Sequence, residues 1–455
     1  MFFERIKTPG IAQVAYILAA DGDALVVDPC RDVQRYLTIL QNSSLRLRYV
    51  VQTHRHEDFE MGGAALRQLT GAEIVAGKHD IFRHADVRLG DGETLQLGTL
   101  TLRALHTPGH TPESMCYAVY LAANPELAWG VFTGDALFIG DTGRTDLPAA
   151  DKAVENAGRL YDALHDKVFP LGDQTLVFPA HGAGSACGGQ VADRDDSTIG
   201  IERVSNAAAT MGREAFVRYK GHEQHARPPY FRVMEQVNLD GGRALDERPV
   251  PWLPPQSFRE LSQTGVVIDT REAEAFAGGH IASAYSIWLA GLSRYGGWIT
   301  DPVSLYLVVD EPGQLHEARL ALARIGHDNV AGALANGFSA WRAAGQAIET
   351  SGTITPAQLN AASGHYNVLD VREAGEFEAG HIPAAQHVFV GELAHWLGEM
   401  ALDTDTPLAV TCSVGHRSSF GVSILKRHGY SNVSNLLGGM TAWHRLGLPI
   451  DRPGT

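Results

Sequence analysis

The amino-acid sequence predicts a multidomain protein of mixed α+β and α/β class, with two similar α/β domains in its C-terminal half. The chain has 455 residues, too many for one ordinary domain and about right for three. Apolar runs typical of strands dominate the N-terminal half, and a segment of the C-terminal half recurs about 100 residues later. Hydrophobic residues make up 44% and charged residues 20% of the chain, which excludes a disordered or fibrous protein.

Charge and cysteine content exclude further classes. The chain has 37 Lys and Arg against 52 Asp and Glu, a formal charge of −15, which argues against a nucleic-acid partner. Four scattered cysteines are too few for a disulfide framework. No apolar stretch reaches the roughly 20 residues that span a bilayer. The first residues, MFFERIKTPG, lack the pattern of a signal peptide. We therefore expect a cytoplasmic protein without a membrane partner.

The N-terminal half predicts a sheet-on-sheet core covered by helices. Its apolar runs are bounded by turn residues and read AYILAA, DALVVD, YVVQT, LTLRAL, WGVFTG and TLVFPA. A few helical segments, such as GGAALRQLTG, lie between them. The proline-rich segment RPVPWLPPQ at 248–256 interrupts the pattern and is interpreted as a linker.

The C-terminal half contains two copies of one domain. VVIDTREAEAFAGGHIASA (266–284) resembles NVLDVREAGEFEAGHIPAA (367–385), and GFSAWRAAG resembles the later GMTAWHRLG. Short apolar runs alternate with helical stretches in each copy, which predicts a mainly parallel sheet with helices on both faces. The predicted domains are 1–245, 256–350 and 353–455.

Potential metal ligands follow four of the N-terminal apolar runs directly. Rigid strands followed by short loops can aim imidazoles and carboxylates at one point. Those groups suit zinc, iron or manganese. The candidate ligands are His54, His56, Asp58, His110, Asp135 and His181.

The segments THRHEDF, TPGHTPES, TGDALF and PAHG resemble the metallo-β-lactamase superfamily over about 240 residues. The resemblance implies an αββα sandwich with a metal site along one edge. The sequence departs from the usual His-x-His-x-Asp-His signature because Phe59 stands where the last His is expected. A benzyl ring cannot bind a metal, so a second metal site would keep only Asp58 and His181 beside that ring.

The persulfide dioxygenase branch of this superfamily is the better match, and FIGDTGRTDL and PAHGAGSACG also resemble it. That resemblance implies one Fe(II) per chain, held by His54, His110 and Asp135. Two histidines and one carboxylate form the facial triad of non-haem iron oxygenases, which leaves three positions open.

The same resemblance gives the remaining polar residues supporting roles. His56, Asp58 and His181 would orient the ligands or contact the substrate. Arg144 would either hold an anionic substrate or pair with a neighbouring aspartate, Asp141 or Asp146. The sequence around Cys30, Cys116 and Cys187 shows no metal or redox spacing, so these are interpreted as buried or incidental thiols.

The segment VTCSVGHRSS predicts a nucleophilic cysteine loop. Cys412 follows a buried strand, and Arg417 stands five positions later at the start of a helix. Inward backbone N–H groups and the helix N-terminus would stabilise a thiolate there. Gly415 permits tight curvature and Arg417 adds a cation. The catalytic candidates are therefore Cys412, Gly415 and Arg417.

Together with LDVREAGEFEAGHIPAA, this loop resembles the rhodanese family over about 100 residues. The resemblance implies that Cys412 takes up a sulfane sulfur as a persulfide and passes it to a nucleophile. Related phosphatase loops have the spacing Cys-x5-Arg, whereas this loop is Cys-x4-Arg, and the smaller ring favours sulfur over phosphate.

The first copy lacks this chemistry. Aligning SLYLVVDEPG with PLAVTCSVGH places Val309 or Asp310 at the position of Cys412. We expect this copy to be an inactive spacer or docking surface. Its Asp269 and Arg271, like Asp370, Arg372 and His381 of the second copy, are interpreted as determinants of the fold.

These patterns together predict a persulfide dioxygenase–rhodanese fusion in sulfide metabolism. Its substrate would be a low-molecular-weight persulfide, with glutathione persulfide as the first candidate, oxidised by O₂ to sulfite and thiol. Cys412 would move sulfane sulfur between persulfide and sulfite or thiosulfate. A homo-oligomer is compatible with the sequence. The alternatives are a thioester hydrolase of the glyoxalase II kind fused to a sulfur carrier, and a carrier without catalysis.

Overall fold

The computed structural model describes residues 1–147, 149–223, 225–299, 304–362, 364–399 and 403–452. The chain separates into two compact units. The first contains Met1–Asp246 and Ala323–Gly326, and the second contains Glu247–Leu322 and His327–Thr455. Among the described residues, no helix is long and apolar enough to cross a bilayer.

The first unit contains two sheets. The six-stranded sheet runs in the order β1-β2-β3-β4-β5-β6 and is antiparallel up to β3 and parallel from β3 to β6. Its strands are β1 Phe2–Thr8, β2 Gln13–Ala20, β3 Asp23–Val27, β4 Arg46–Val51, β5 Glu73–Gly77 and β6 Val87–Leu89. The five-stranded sheet has the order β11-β10-β9-β8-β7, with only the β10–β11 pair parallel among these strands. Its strands are β7 Thr94–Leu97, β8 Leu100–His106, β9 Met115–Leu121, β10 Asn124–Gly134 and β11 Leu176–Pro179.

Helices cover the outer faces of both sheets. The α-helices of this unit are α1 Gln34–Asn42, α2 Gly63–Thr70, α3 Ala153–Ala163, α4 Ile199–Ser205, α5 Ala207–Thr210, α6 Arg213–Lys220 and α7 Phe231–Val237. Tyr16, Phe132 and Phe178 belong to the buried cluster between the sheets. Separate apolar clusters join α1 and α2 to the first sheet and α3 and α6 to the second. This four-layer order confirms the predicted αββα sandwich.

The second unit contains two parallel five-stranded sheets with the same topology. The first has the order β12-β16-β15-β13-β14 and the second β17-β21-β20-β18-β19. The first sheet contains β12 Trp252–Leu253, β13 Val266–Asp269, β14 Tyr285–Ser286, β15 Leu305–Val308 and β16 Val330–Leu334. The second contains β17 Gly352–Ile354, β18 Asn367–Asp370, β19 Gln386–His387, β20 Leu408–Thr411 and β21 Val433–Leu436.

The helices of the second unit are also repeated. Those of the first copy are α8 Pro255–Leu261, α9 Ala273–Gly278, α10 Leu292–Tyr295, α11 Gln314–Arg324 and α12 Gly337–Ala343. Those of the second copy are α13 Pro356–Ala361, α14 Ala374–Glu378, α15 Leu393–Trp396, α16 His416–Arg427 and α17 Gly439–Arg445. The parallel α/β class predicted for both copies is confirmed.

A buried ion pair joins strand to loop at the same place in each copy. Arg271 binds Asp269 through two nitrogens at 2.8 and 2.6 Å, and Arg372 binds Asp370 at 2.9 and 2.6 Å. All four side chains are buried. A buried charge pair needs close geometry and further hydrogen bonds, and each Arg also donates to a backbone carbonyl. The structure therefore gives these residues the architectural role that the sequence suggested.

Part of the proline-rich segment that was interpreted as a linker has regular secondary structure. Trp252 and Leu253 pair in parallel with β16 and form the edge strand of the first copy. Helix α8 then begins at Pro255, a position where proline fits because the first helical N–H needs no partner within the helix. The predicted boundaries 1–245, 256–350 and 353–455 stay predictions.

Candidate metal centre and cysteine loop

The candidate metal ligands lie in the loops that follow β4, β8, β10 and β11. His54 and His56 follow β4, His110 follows β8, Asp135 follows β10 directly, and His181 follows β11. All five side chains are at most 1% exposed. The structure therefore brings together the residues that the strand-end pattern singled out.

Three of these side chains converge on one point. His54 Nε2 lies 3.8 Å and His110 Nε2 lies 3.4 Å from Asp135 Oδ2. Ligand atoms that share a cation at about 2.0–2.2 Å lie about 3–3.5 Å apart, so these separations need only a small contraction around an ion. His54, His110 and Asp135 have the arrangement expected of a common metal site.

Hydrogen bonds fix which histidine nitrogens face this point. The Thr53 hydroxyl donates to Asp28 at 2.7 Å, so it accepts from His54 Nδ1 at 2.9 Å. His110 Nδ1 donates to the carbonyl oxygen of Arg144 at 2.8 Å. Both Nε2 atoms therefore offer a lone pair toward the Asp135 carboxylate.

Three buried atoms at this point have no hydrogen-bond partner within the part of the chain that the structure describes: His54 Nε2, His110 Nε2 and Asp135 Oδ2. Lone pairs that face a carboxylate oxygen repel it unless positive charge lies between them, and buried polar atoms are otherwise almost always satisfied. The residues present thus fit a divalent cation.

The local field also favours positive charge. Burial alone would raise the pKa of Asp135, but the imidazoles of His181 and His54 hold it well below its usual range. Burial and neighbouring His56 lower the pKa of His54. Burial would also lower the pKa of His110, but the carboxylates of Glu57 and Asp135 outweigh it and raise that pKa to about 9. The site attracts a proton or a metal ion to the same place.

A second group of potential ligands lies next to the first. His56, Asp58 and His181 each offer an atom, and these atoms lie within 4.8 Å of one another. His181 Nδ1 is 2.8 Å from Asp135 Oδ1, so the two groups are joined. The Phe59 ring lies 4.3 Å from His56. The sequence argument kept only two donors for a second cation, whereas the structure adds His56 to them.

Arg144 is part of the architecture. Its side chain is completely buried and binds both carboxylate oxygens of Asp146 at 2.6 Å. It also donates to the backbone carbonyls of Ala186, His225 and Ala226. Of the two roles left open by the sequence, the structure supports pairing with an aspartate.

Sequence reasoning missed two residues at this centre. Glu57 is buried, and its Oε2 lies 3.6 Å from His110 Nε2. Cys187 is buried, as the sequence predicted, and its Sγ also lies within 4.8 Å of ligand atoms of His110 and Asp135. Burial and nearby carboxylates raise the pKa of Cys187 well above its ordinary value, which keeps it a neutral thiol. Glu57 could have been noticed because it stands between His56 and Asp58 in the His-x-His-x-Asp segment.

The Cys412 loop has the predicted geometry. Cys412 follows β20, and Gly415 adopts a φ of 116° immediately before α16, a conformation that favours glycine. The Gly415 N–H donates to Cys412 Sγ at 3.1 Å, and the Ser418 hydroxyl lies 3.4 Å from the same sulfur. Cys412 is 1% exposed. The sulfur thus accepts from one backbone N–H and lies beside a hydroxyl whose shorter hydrogen bond, at 2.6 Å, goes to Asn435.

The turn at Gly439 packs against the backbone of Cys412. A Cβ on Gly439 would lie 2.2 Å from the Cys412 carbonyl oxygen, so only glycine permits this approach. The Met440 N–H donates to that same oxygen at 2.8 Å. The start of the GMTAWHRLG segment, which recurs in both copies in related form, therefore positions the cysteine.

Arg417 forms an ion pair with Glu376 beside the Cys412 loop. Its two terminal nitrogens bind Glu376 at 2.5 and 2.8 Å, and one of them also contacts Ser413 at 2.7 Å. Burial alone would raise the pKa of Glu376, but Arg417 lowers it to about 2. The expected cation is present, with a carboxylate compensating its charge.

The first copy contributes to the wall of this loop. The Trp288 ring stacks on His416 with centroids 4.9 Å apart, and Glu272 binds His416 Nε2 at 2.9 Å. Ser286 and Ser419 share a buried hydrogen bond of 2.7 Å beside them. Contacts between two domains leave no local signal in a sequence, so Trp288 and Glu272 were not predicted.

Both parts of the chain are similar to known families. The family described as Metallo-beta-lactamase superfamily matches residues 8–181. The family described as Rhodanese-like domain matches residues 254–344 and 355–446. The human protein named Persulfide dioxygenase ETHE1, mitochondrial, is 32% identical over 222 residues, covering 48% of this chain and 80% of the human protein. The chain therefore belongs to the metallo-β-lactamase superfamily. Its relatives there include persulfide dioxygenases, and two rhodanese-like domains follow, which confirms the predicted fusion.

Two further proteins show the range of similarity. A crystal structure of a metallo-beta-lactamase from Staphylococcus aureus subsp. aureus COL superposes with a TM-score of 0.67 at 26% identity. The superposition covers 74% of this chain and 99% of the Staphylococcus aureus chain. The hydroxyacylglutathione hydrolase of Dictyostelium discoideum is 29% identical over 160 residues, covering 35% of this chain and 57% of that protein.

Proposed function

We propose that the chain is an iron-dependent persulfide dioxygenase that also transfers sulfane sulfur through Cys412. The observation that carries the first part is the convergence of three unpartnered donors, His54 Nε2, His110 Nε2 and Asp135 Oδ2. Two imidazoles and one carboxylate are the donor set of mononuclear non-haem iron oxygenases. The similarity to a human protein named persulfide dioxygenase supports the same choice.

The proposed substrate is a low-molecular-weight thiol persulfide, with glutathione persulfide as the first candidate. One persulfide, one O₂ and one water give one thiol and one sulfite, with the terminal sulfur oxidised and O₂ reduced. Fe(II), when bound, supplies adjacent open positions for substrate and O₂ together with the redox chemistry. The chain's own residues exclude bulk water, since the three donors are buried, and keep both Nε2 lone pairs directed inward.

The proposed second step takes place at Cys412. The thiolate attacks the terminal sulfur of a persulfide, the S–S bond breaks, and the thiol leaves with the proton. Sulfite then attacks the outer sulfur, which regenerates the thiolate and releases thiosulfate. The Gly415 N–H, 3.1 Å from Sγ, stabilises the thiolate in both steps. Because Arg417 is already paired with Glu376, backbone amides would hold the anionic cargo.

A metal-dependent thioester hydrolase is the second candidate. The observation in its favour is the group formed by His56, Asp58 and His181, which adjoins the first group through Asp135. A binuclear centre would suit hydrolysis because two cations can bind both the attacking and the leaving oxygen. This candidate predicts two metal ions per chain, zinc as the metal, and turnover without O₂.

Oxygen consumption separates the two candidates. The full chain, purified without oxygen and supplied with Fe(II), is assayed in an oxygen electrode with glutathione persulfide and with thioesters of glutathione. The proposal predicts persulfide-dependent oxygen uptake with one sulfite formed per O₂. Thioester hydrolysis in the absence of oxygen uptake would overturn it. The cytoplasmic location stays a prediction.

A further inference from the structure

We propose that Glu57 is an additional ligand of the metal, so that the centre offers two imidazoles and two carboxylates. The inference rests on the proposed metal centre but not on the identity of the metal or the reaction. Glu57 lies between His56 and Asp58 in the loop after β4. The resemblance to known proteins gave no role to this position.

The Glu57 carboxylate lies close to the ring of His110. Glu57 Oε2 lies 3.6 Å from His110 Nε2, close to the 3.4 Å that separates the same nitrogen from Asp135 Oδ2. Ligand atoms of His54, Glu57 and His110 all lie within 4.8 Å of one another. His110 Nε2 therefore has one oxygen of each carboxylate within 3.6 Å, and a cation beside this nitrogen would lie near both side chains.

The buried Glu57 carboxylate has no hydrogen-bond donor among the residues that the structure describes. Glu57 is 0% exposed, and neither of its carboxylate oxygens accepts a hydrogen bond from the residues that the structure describes. The distance of 3.6 Å to His110 Nε2 is too long for a hydrogen bond. A carboxyl group without a donor is rarely buried unless a cation compensates it.

Glu113 is a second buried carboxyl group in this region, but unlike Glu57 it accepts a hydrogen bond from the protein. Glu113 is also buried, and its Oε1 accepts from the backbone N–H of Arg55 at 3.4 Å. Glu113 belongs to none of the potential metal-binding groups among the described residues. Its burial and the charge of Glu57 raise its pKa, while Arg55 lowers it. Glu113 is therefore a matched control for Glu57.

The additional carboxylate would change what the centre can hold. Two carboxylates balance the charge of a divalent cation, whereas one leaves a net positive site. In a six-coordinate centre, four protein ligands leave two positions open instead of three. Two positions are the number that one substrate sulfur and O₂ require.

The test measures metal affinity rather than turnover. The full chain is stripped with a chelator, and Zn²⁺ and anaerobic Fe²⁺ are titrated in competition with a chelating dye into the parent, Glu57→Gln, Glu113→Gln and Asp135→Asn. We expect Glu57→Gln to weaken binding about 10- to 100-fold, Glu113→Gln to leave it unchanged, and Asp135→Asn to weaken it at least as much. Equal affinity of the parent and Glu57→Gln would overturn the inference.

Thermal unfolding distinguishes a ligand from a structural group. If Glu57 is a ligand, the metal-free Glu57→Gln variant melts no lower than the metal-free parent, and the rise in Tm on adding Zn²⁺ is smaller than in the parent. If Glu57 only pairs with His110, the metal-free variant melts lower and its metal affinity is unchanged, which would overturn the inference. A parent that binds metal but takes up no oxygen would contradict the proposed function alone.

Discussion

The two rhodanese-like copies share a scaffold but differ at one loop. Their sheets have the same strand order, and each contains the buried Asp–Arg pair. In each copy a tryptophan indole donates to a backbone carbonyl, Trp341 to Ala347 at 2.9 Å and Trp443 to Pro449 at 2.8 Å. The scaffold is thus preserved in both copies.

The loop after the central strand is filled in different ways. In the second copy the Gly415 N–H donates to the Cys412 sulfur. In the first copy the N–H groups of Asp310 and Glu311 each donate to the Gln314 side chain at 3.1 Å. A side-chain amide therefore occupies the donors that would otherwise serve a sulfur or an anion. The comparison shows that the two copies keep the same architecture although this loop differs between them.

The first copy nevertheless contacts the Cys412 loop. Trp288 and Glu272 both contact His416, which stands between Gly415 and Arg417. A residue held on two sides loses conformational freedom, and the adjacent loop becomes more rigid. The first copy therefore supports the second at the point where they differ most.

Removing the thiol of Cys412 should change the activity most strongly. Cys412→Ser should reduce sulfur transfer to thiosulfate by a factor on the order of 10⁴ or more, since a hydroxyl cannot form the persulfide. Oxygen uptake with glutathione persulfide should remain largely intact. The reciprocal variant Asp135→Asn should lose oxygen uptake and keep sulfur transfer. Loss of both activities in Cys412→Ser would contradict two independent sites.

The next effect tests whether the two copies have equivalent scaffolds. Asp370→Asn and Asp269→Asn should each destabilise the domain that contains them by about 3–5 kcal/mol, because each leaves a buried arginine without its carboxylate. Urea unfolding followed by tryptophan fluorescence measures both. A much smaller loss for Asp269→Asn would show that the inactive copy no longer depends on its ion pair.

A smaller effect tests the contact between the copies. Trp288→Ala removes the ring stacked on His416 and should lower kcat/KM for sulfur transfer a few-fold to about tenfold, the range expected for one aromatic contact. Trp252→Ala, at an exposed tryptophan of the edge strand β12, is the control and should leave the rate unchanged. Equal rates for both variants would mean that the first copy is only a spacer.

The smallest effect concerns pH at the Arg417 pair. Arg417 lowers the pKa of Glu376 to about 2, so the stabilisation is complete above the ordinary glutamate pKa and is lost as pH falls through about 2. Between pH 4.5 and 2, the unfolding free energy of the parent should therefore fall more steeply than that of Glu376→Gln. Parallel pH profiles for the two proteins would show that the pair contributes no pH-dependent stability.

Much of the architecture could be predicted from the sequence because it depends on local pattern. The candidate ligands His54 and Asp135 directly follow apolar runs, His110 lies in the loop after another, and strand ends bring such residues together. The register also decides an alignment that the sequence left open. Val308 pairs with Asp269 and Thr411 pairs with Asp370, so Val309 rather than Asp310 corresponds to Cys412.

The remaining features depend on packing between distant segments. The pairing of Glu376 with Arg417 joins residues 41 positions apart, and the contact of Glu272 with His416 spans 144 positions. Neither leaves a periodic signal. Glu57 was overlooked for another reason, since it occupies a variable position of a motif whose fixed positions drew attention.

The number and identity of the bound metal ions decide whether His54, His110 and Asp135 hold a single iron. The protein is purified without oxygen, and iron and zinc are counted per chain by mass spectrometry, in the parent and in Asp135→Asn. The account predicts one iron per parent chain and nearly none in the variant. Two metal ions per parent chain, or iron that persists without Asp135, would contradict a single cation held by His54, His110 and Asp135.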